Sequence, residues 1–492
     1  MRNTRSPTFS FVLLTLIVSR VGLCADPGFG PVPHPDNTAN LDPGVAVAGK
    51  SPFYPSRAST DGRHVTPEHF ESILLCSGCH MDIFNQWKGS MHSNSWKDPV
   101  YRAALNLMSQ FSHGKIDNFC MGCHTPIGVV THEASPAGKN MSEGAVQGVQ
   151  CEVCHNVSRI SGIGNGAYVL TPQLHGRPLK LGPYKDAVSP IHDTAYSPLH
   201  TRSEFCSDCH DVTHPFNRVA VERTYTEWRD SKYAGLGIQC QDCHMKPAPG
   251  RSSPIGKERE RVYTHYFVGG NALVTQILGS DMHAGRTEDM LRTAATVQIL
   301  AHDALSPAHM NEVKVRVTNI GAGHKLPTGF PEGREMWLDF KVVDARNVEV
   351  YRLGAIRNGR TEPETRSFKV VLGDRNGKVV DLNVLDADRI LSDTRISPHG
   401  YGDVTYVFDL PKGTVGPVKL VAELNYWSFS QALLDDLLGK DAPRAHVTLM
   451  ATATTTVQLA HVRLAQHTFH PKALEKTRRT ADARQLEGLG AR

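Results

Sequence analysis

Five Cys-x-x-Cys-His pentapeptides stand between residues 76 and 244 of this 492-residue chain. Their reactive residues are Cys76, Cys79 and His80; Cys120, Cys123 and His124; Cys151, Cys154 and His155; Cys206, Cys209 and His210; and Cys240, Cys243 and His244. Two thiols at this spacing can reach two vinyl groups on one porphyrin edge. The imidazole that follows can bind the iron, which makes the pentapeptide the attachment signature of c-type haem. The rival chemistry is zinc or iron–sulfur ligation by Cys pairs. Zinc sites join Cys-x-x-Cys units two at a time, and five is an odd number. Histidine is only 25 of 492 residues. Chance would place one after all five pairs with odds on the order of one in a million, given ordinary residue usage. The expected cofactors are five covalently bound haem c groups, with iron as the metal.

The second axial ligand separates carrier from enzyme. A second His closes the iron as an electron carrier, and an empty position admits substrate. His92, His200 and His265 lead the candidates by context. His92 ends Trp87-Lys-Gly-Ser-Met-His92, which nearly recurs as Trp228-Arg-Asp-Ser-Lys-Tyr233. The recurrence reads as a repeated unit whose Trp packs on a porphyrin. His200 stands six residues before Cys206, and His265 opens His265-Tyr-Phe-Val-Gly-Gly-Asn271. His113, His132 and His192 follow, with His175, His214 and His283. His324 lies in a Gly-rich loop far downstream and could reach across to a haem. The plainer role for any one of these is a surface or internally satisfied imidazole. Met81 and Met245 follow proximal ligands directly and read as packing. Arg334 could fork onto a propionate.

These residues need elements to hold them. Residues 1–25 read as a secretory signal, with Arg2 and Arg5 before an apolar run from Phe9 to Val18. That run is too short to span a bilayer, which takes about 20 residues. Residues 26–67 are rich in Pro and Gly and read as a linker or wrapping arm. Residues 68–292 hold all five motifs, too little chain to build an ordinary core around each cofactor. The porphyrins themselves must supply much of the buried apolar surface. Short helices are expected at Glu68–Leu75, Asp98–Phe111 and Glu227–Tyr233, with a basic surface loop at 246–260. From 293 to 470 the pattern turns to alternation, as in Val313-Lys-Val-Arg-Val-Thr-Asn319. The class is therefore α+β: a mostly helical and loop pentahaem domain with little regular structure, then a C-terminal antiparallel β-sandwich. Residues 471–492 read as a charged, flexible tail.

At these residues the chain resembles the multihaem c-type cytochromes whose members include the tetrahaem electron carrier of ammonia oxidisers. The matching segments are QWKGSMH, GVQCEVCHNV, SPLHTRSEFCSDCHDV, YTEWRDSKY leading to GIQCQDCHM, and HYFVGGN. They fall between about residues 70 and 275. GAGHKLPTGFPEGREMWL and SDTRI resemble a β domain attached to many bacterial and archaeal members. The resemblance implies closely stacked, mostly bis-His haems and electron transfer in the periplasm or outside the cell. Five motifs and the added β domain depart from the tetrahaem pattern.

The leading functional expectation is an exported electron carrier, periplasmic or at the cell surface, without a catalytic residue. Its expected partners are redox proteins or membrane electron-transfer complexes, and the strand edges of the β domain offer a route to self-assembly. The alternative is a reductase acting on nitrite or hydroxylamine at one open haem. Against it, all five motifs end in His, and pentahaem nitrite reductases commonly carry Lys in the active one. Nucleic-acid binding is not expected. The formal charge of +4 falls with loss of the leader's arginines, and haem propionates turn the holoprotein acidic.

Overall fold

The structure is a computed structural model, described for residues 51–460 apart from positions 308, 332 and 381. The leader, residues 26–50 of the Pro/Gly-rich segment and the charged tail lie outside the described residues. Residues 51–67 pack inward: Phe53, Ala58 and Val65 join a small core with Trp96, Leu105 and Tyr168.

The motif-bearing region is built from short pieces. Its longest helix before residue 280 is Pro99–Ser112. Asp98 caps it, its carboxylate accepting from the Val100 and Tyr101 N–H groups at 2.8 and 3.2 Å. Pro99 fits the first turn, where no N–H is needed, and the helix ends at His113 in the left-handed conformation. The helix expected over Glu68–Leu75 starts later. A 3₁₀ turn at Pro67–His69 precedes the helix Ile73–Ser77, because the Ser72 hydroxyl caps the Leu74 N–H. The Glu227–Tyr233 helix is in fact two, Thr224–Arg229 and Lys232–Gly235. Ser231 breaks them by donating to the Trp228 carbonyl at 2.6 Å and accepting from the Tyr233 N–H at 3.2 Å. The expected basic loop contains a hairpin, Ala248–Gly250 paired with Arg259–Val262.

The helix Asp281–Ala294 runs straight into the strand Ala295–Leu300. From there two sheets face a shared core. One places Glu335–Val343 between Val418–Trp427 and Glu349–Leu353, with Thr448–Leu459 beyond. The other orders Tyr401–Asp409, Met310–Asn319 and Ala295–Leu300. All these pairings are antiparallel. The α+β class is thus observed, with antiparallel sheets in the C-terminal domain.

Alternation explains the core. Val313, Val315 and Val317 turn inward from one sheet and meet Leu338, Phe340, Val342, Leu420 and Leu424 from the other. Phe340 stacks on Tyr406 at 4.4 Å and so ties the two sheets. The central strand is also covered on its far face. There Trp337 packs on Trp427 at 4.6 Å, and Trp427 Nε1 donates to Glu335 at 3.0 Å. Gly354 is required beside this strand, because a Cβ would stand 2.2 Å from the Leu338 carbonyl oxygen. The hairpins Ile356–Arg357/Arg360–Thr361 and Val370–Gly373/Arg389–Asp393 escaped the sequence reading. Their strands are short, and Ile356–Arg357 and Arg389–Asp393 are exposed throughout, so they carry little alternating signal.

The two regions are fastened together. The Tyr426 hydroxyl donates to the Gly270 carbonyl at 2.8 Å. Leu273 and Val274 share a cluster with Phe429 and Leu434. His214 is buried at the seam and bonds through Nε2 to the Leu385 carbonyl at 3.2 Å. Among the described residues, no helix is long and apolar enough to cross a membrane.

Two outcomes test this packing. Phe340→Ala opens a cavity between the sheets and is expected to cost about 3–5 kcal/mol, read from urea unfolding of the β domain. Asp344, at the turn after Glu335–Val343, accepts from the Arg346 side chain at 2.7 Å and from the Val348 N–H at 3.1 Å. Burial raises this carboxyl's pKa, but those bonds outweigh it and hold it down to about 2. A free Asp titrates near about 3.9. The stabilisation is therefore complete above that value and disappears as pH falls towards 2. The thermal midpoint of Asp344→Asn should lie below that of the parent at pH 7, with the gap narrowing below pH 4.

Candidate functional site

All ten motif cysteines and all five motif histidines line one cavity of 1840 Å³. Small-molecule pockets are about 300–1,000 Å³, so this space suits several large ligands. Its walls are apolar and aromatic, including Phe84, Leu105, Met108, Phe119, Tyr168, Phe205 and Phe267. The cysteines form no disulfides. Among the described residues, no three His, Cys, Asp or Glu side chains gather where they could hold a metal ion between them. The Cys pairs therefore do not converge as a zinc or iron–sulfur site requires. They are spread along the cavity as separate attachment points.

Thiols of different motifs meet in pairs. Cys76 lies beside Cys151, Cys123 beside Cys209, and Cys206 beside Cys240. These contacts make the first motif a neighbour of the third, and the fourth a neighbour of the second and fifth. Burial pushes the Cys120 and Cys154 thiols up to about 12.

The imidazoles show one recurring arrangement. Nδ1 of His80 bonds the Ser252 carbonyl at 2.6 Å, that of His124 the Ser95 carbonyl at 2.9 Å, and that of His155 the Leu181 carbonyl at 2.6 Å. His244 does the same with Val268. A carbonyl only accepts, so Nδ1 carries the proton and Nε2 keeps its lone pair. Metal-binding histidines are characteristically held this way. His192, His265 and His324 share the arrangement, through the Asp193, Tyr263 and Lys325 carbonyls at 3.0, 3.0 and 2.8 Å. Burial pulls His92 down to about 3, with His210, His244 and His265 adding to the effect. Burial likewise takes His265 and His324 down to about 4. All three are neutral imidazoles at neutral pH, as a ligand must be.

Three of these rings face motif histidines at nearly one distance. The centroid separation is 6.4 Å for His80–His192, 6.3 Å for His92–His210 and 6.4 Å for His244–His324. Two imidazoles on opposite sides of one metal, each bonded at about 2.0–2.1 Å, place their centroids a little over 6 Å apart. The residues present therefore fit the haem that the motifs imply.

Other expected ligands stand differently. His200 lines the cavity and stacks on His155 at 5.3 Å, but its Nε2 is spent on the Cys154 carbonyl at 3.1 Å. Its Nδ1 is buried without a hydrogen-bond partner. His113 and His132 stand apart from these rings. Neither lines the cavity. His113 is the exposed left-handed end of the Pro99–Ser112 helix, and His132 stacks on Phe53 at 5.1 Å on the outside. Both belong to turns, which sequence context did not separate from ligand loops. Arg334 lines the cavity and donates to the Ser428 carbonyl at 2.7 Å. Met81 is half exposed rather than packed.

Three contributors escaped the sequence reading. The Ser252 carbonyl comes from the basic loop, and backbone acceptors leave no trace in residue type. Glu222 is the second. Its carboxylate lies 3.8 Å from His210 Nδ1, where the other motif histidines meet carbonyls. Burial alone would lower His210, but this carboxylate raises it to about 9. Tyr101 is the third. Its ring lies flat on His124 at 3.6 Å and 2°, and its buried hydroxyl has no hydrogen-bond partner.

The two Trp-containing segments are a repeat in structure as well. Trp87 Nε1 donates to the Val149 carbonyl and Trp228 Nε1 to the Ile238 carbonyl, both at 2.9 Å. Each acceptor stands two residues before a motif cysteine, Cys151 or Cys240. Each Trp thus pins the approach to a later motif while lining the cavity.

Residues 75–156 match the family model described as cytochrome c554 and c-prime. The chain shares its fold with the penta-heme cytochrome c552 from Thermochromatium tepidum, at 22% identity and a TM-score of 0.59. That likeness covers 80% of this chain and 100% of that one. A CARDB domain from Pyrococcus furiosus also matches, at 12% identity over 34% of this chain and 87% of its own. Its TM-score of 0.16 carries no argument. No curated protein matches. The motifs, the family match and the shared fold support a multihaem c-type cytochrome with covalently bound haem.

Glu222 gives a test confined to one motif. A carboxylate beside the proximal imidazole raises its basicity and favours the oxidised metal. In the holoprotein, Glu222→Gln should raise one reduction potential and leave the others, read by spectroelectrochemistry. A uniform shift of all potentials, or none, would show that the carboxylate does not act through His210.

Proposed function

We propose that this chain is an exported pentahaem c-type cytochrome that carries electrons among closely packed, mostly bis-His haems. The carrying observation is the single cavity lined by all ten motif thiols, with imidazoles facing one another across it. Haem supplies reversible one-electron cycling of its iron. The chain supplies everything else. Cys76, Cys79, Cys120, Cys123, Cys151, Cys154, Cys206, Cys209, Cys240 and Cys243 anchor the groups. His80, His124, His155, His210 and His244 bind from the motif side. His192 would close the iron held by His80, and His92 the iron held by His210. The carbonyls of Ser252, Ser95, Leu181 and Val268 fix the imidazoles so that they need not turn when the iron charge changes.

The thiol contacts support an order of neighbours: first beside third, second beside fourth, fourth beside fifth. The fourth group would then sit at the branch, and it is the one whose imidazole faces Glu222. Export to the periplasm or cell surface accords with the leader-like start of the sequence. The partners would be redox proteins or membrane electron-transfer complexes. The exposed edge strand Tyr401–Asp409, with Tyr401 and Val407 outward, offers a surface for self-assembly.

One observation favours a second reading at a single position. Among the described residues, the ring lying against His124 is that of Tyr101, not a histidine. An open second haem would suit a reductase of the nitrite or hydroxylamine type.

Intact-mass analysis of the holoprotein should show five haem additions, and electron paramagnetic resonance should show mainly low-spin iron. Absence of haem additions would end the reading. A high-spin signal with turnover of nitrite or hydroxylamine would replace the carrier with the enzyme.

A further inference from the structure

Among the residues that line the cavity, the β domain contributes one histidine, His324, carried by a single loop. Residues 319–329 leave the strand Met310–Asn319 and carry His324 to a position facing His244. The rings are 6.4 Å apart and only 17° from parallel. His324 Nδ1 donates to the Lys325 carbonyl, which leaves its Nε2 lone pair for a ligand. His244 is tied by Nδ1 to Val268 in the same manner. The two imidazoles belong to different domains.

The loop is held against the helices Thr224–Arg229 and Lys232–Gly235. The Lys325 N–H donates to Glu227 Oε2 at 3.1 Å. Thr328 and Thr224 share a hydroxyl contact of 2.8 Å. The Tyr233 hydroxyl donates to the Ile320 carbonyl at 3.2 Å. Gly323 lets the backbone approach, since a Cβ there would stand 3.3 Å from both Trp228 and Tyr233. Behind the loop, Arg395 pairs with Glu227 at 2.8 Å and with Asp393 at 2.9 Å, and Lys325 pairs with Asp393 at 2.7 Å. Arg395 and Glu227 are 11% and 8% exposed, so this pair is shielded from solvent.

We propose that the β domain supplies, through His324, the second axial ligand of the haem attached at Cys240 and Cys243. Docking of the β domain and closure of that haem are then one equilibrium. Anything that loosens the Glu227–Arg395 clamp weakens the ligand, and loss of the ligand loosens the clamp. The first and fourth motif groups draw their facing histidines, His192 and His92, from the motif-bearing region itself, whereas the fifth draws its own from the β domain. This inference rests on the haem reading above and concerns the fifth site alone.

The test uses the full-length holoprotein. Intact mass first confirms five haem additions in each variant, and their absence in the parent would defeat the haem reading and not this assignment alone. His324→Ala should then move one fifth of the iron from low-spin to high-spin in electron paramagnetic resonance. Added imidazole should restore the low-spin signal. Five haems with an unchanged spectrum would overturn the assignment. If the Ala protein does not accumulate, His324→Met keeps an iron-binding side chain. It should raise one reduction potential, as His/Met ligation does, and an unchanged set of potentials would overturn the proposal. Coupling is read in urea. Arg395→Gln should lose the low-spin signal of one haem at lower urea than the parent does, ahead of the other four. Loss of all five in step would refute the coupling.

Discussion

An imidazole can offer a lone pair at Nε2 only when Nδ1 keeps the proton. Four of the five motif histidines meet that condition by donating Nδ1–H to a backbone carbonyl. The carbonyls come from distant parts of the chain: a hairpin tip, the turn before the Pro99–Ser112 helix, a short strand and the segment after His265. Each of these four motifs is thus finished by a piece of backbone it does not contain, and the fourth in chain order by the Glu222 carboxylate. Short helices suffice for this purpose, because an attachment point needs one turn of chain and one fixed acceptor. The scarcity of regular structure between residues 68 and 280 follows from that requirement.

The two domains fold under different rules. The β domain has its own dense core, with Val313, Val315, Met336, Leu338 and Leu420 wholly buried among one another. The motif-bearing region has smaller clusters, separated by a cavity that touches most of its elements. Many of its large side chains line that cavity. Trp87 and Trp228 show how order is still imposed. Each uses its indole N–H to pin the chain just ahead of a later motif and its ring to wall the cavity. One side chain thereby positions an attachment point and supplies apolar surface for what is attached.

What could be read from the sequence follows the range of the signal. Strict alternation in Val313–Asn319 announced a strand, because one of its faces is buried in the common core. Asp98-Pro99 announced a helix start, because capping is local. The Cys-x-x-Cys-His motifs announced attachment, because their chemistry is contained in five residues. Facing histidines were harder. His92 and His324 stand opposite motif imidazoles, but His113 and His132 end in turns, and nothing in their neighbours' identities told them apart. Glu222 and Tyr101 gave no signal at all. Glu222 acts through a contact with His210, and Tyr101 through one with His124 across 23 residues of chain.

The same reasoning explains why the Gly-rich loop has its composition. A ligand delivered from a separate domain must cross the gap between two packed surfaces without widening it. Gly323 permits contact with Trp228 and Tyr233, and Gly321 lies where a Cβ would meet the Thr293 carbonyl at 2.4 Å. Leu326 is buried, and its backbone pairs with Ile396 in both directions at 2.9 and 3.0 Å, so the far side of the loop is stitched to the β domain. Lys325 is then gripped by Glu227 through its N–H and by Asp393 through its ammonium, one from each domain. His324 sits between these two anchors. A loop built only to turn a corner needs the glycines and not the paired clamp. The clamp makes mechanical sense if the residue at its centre must hold a fixed distance from His244.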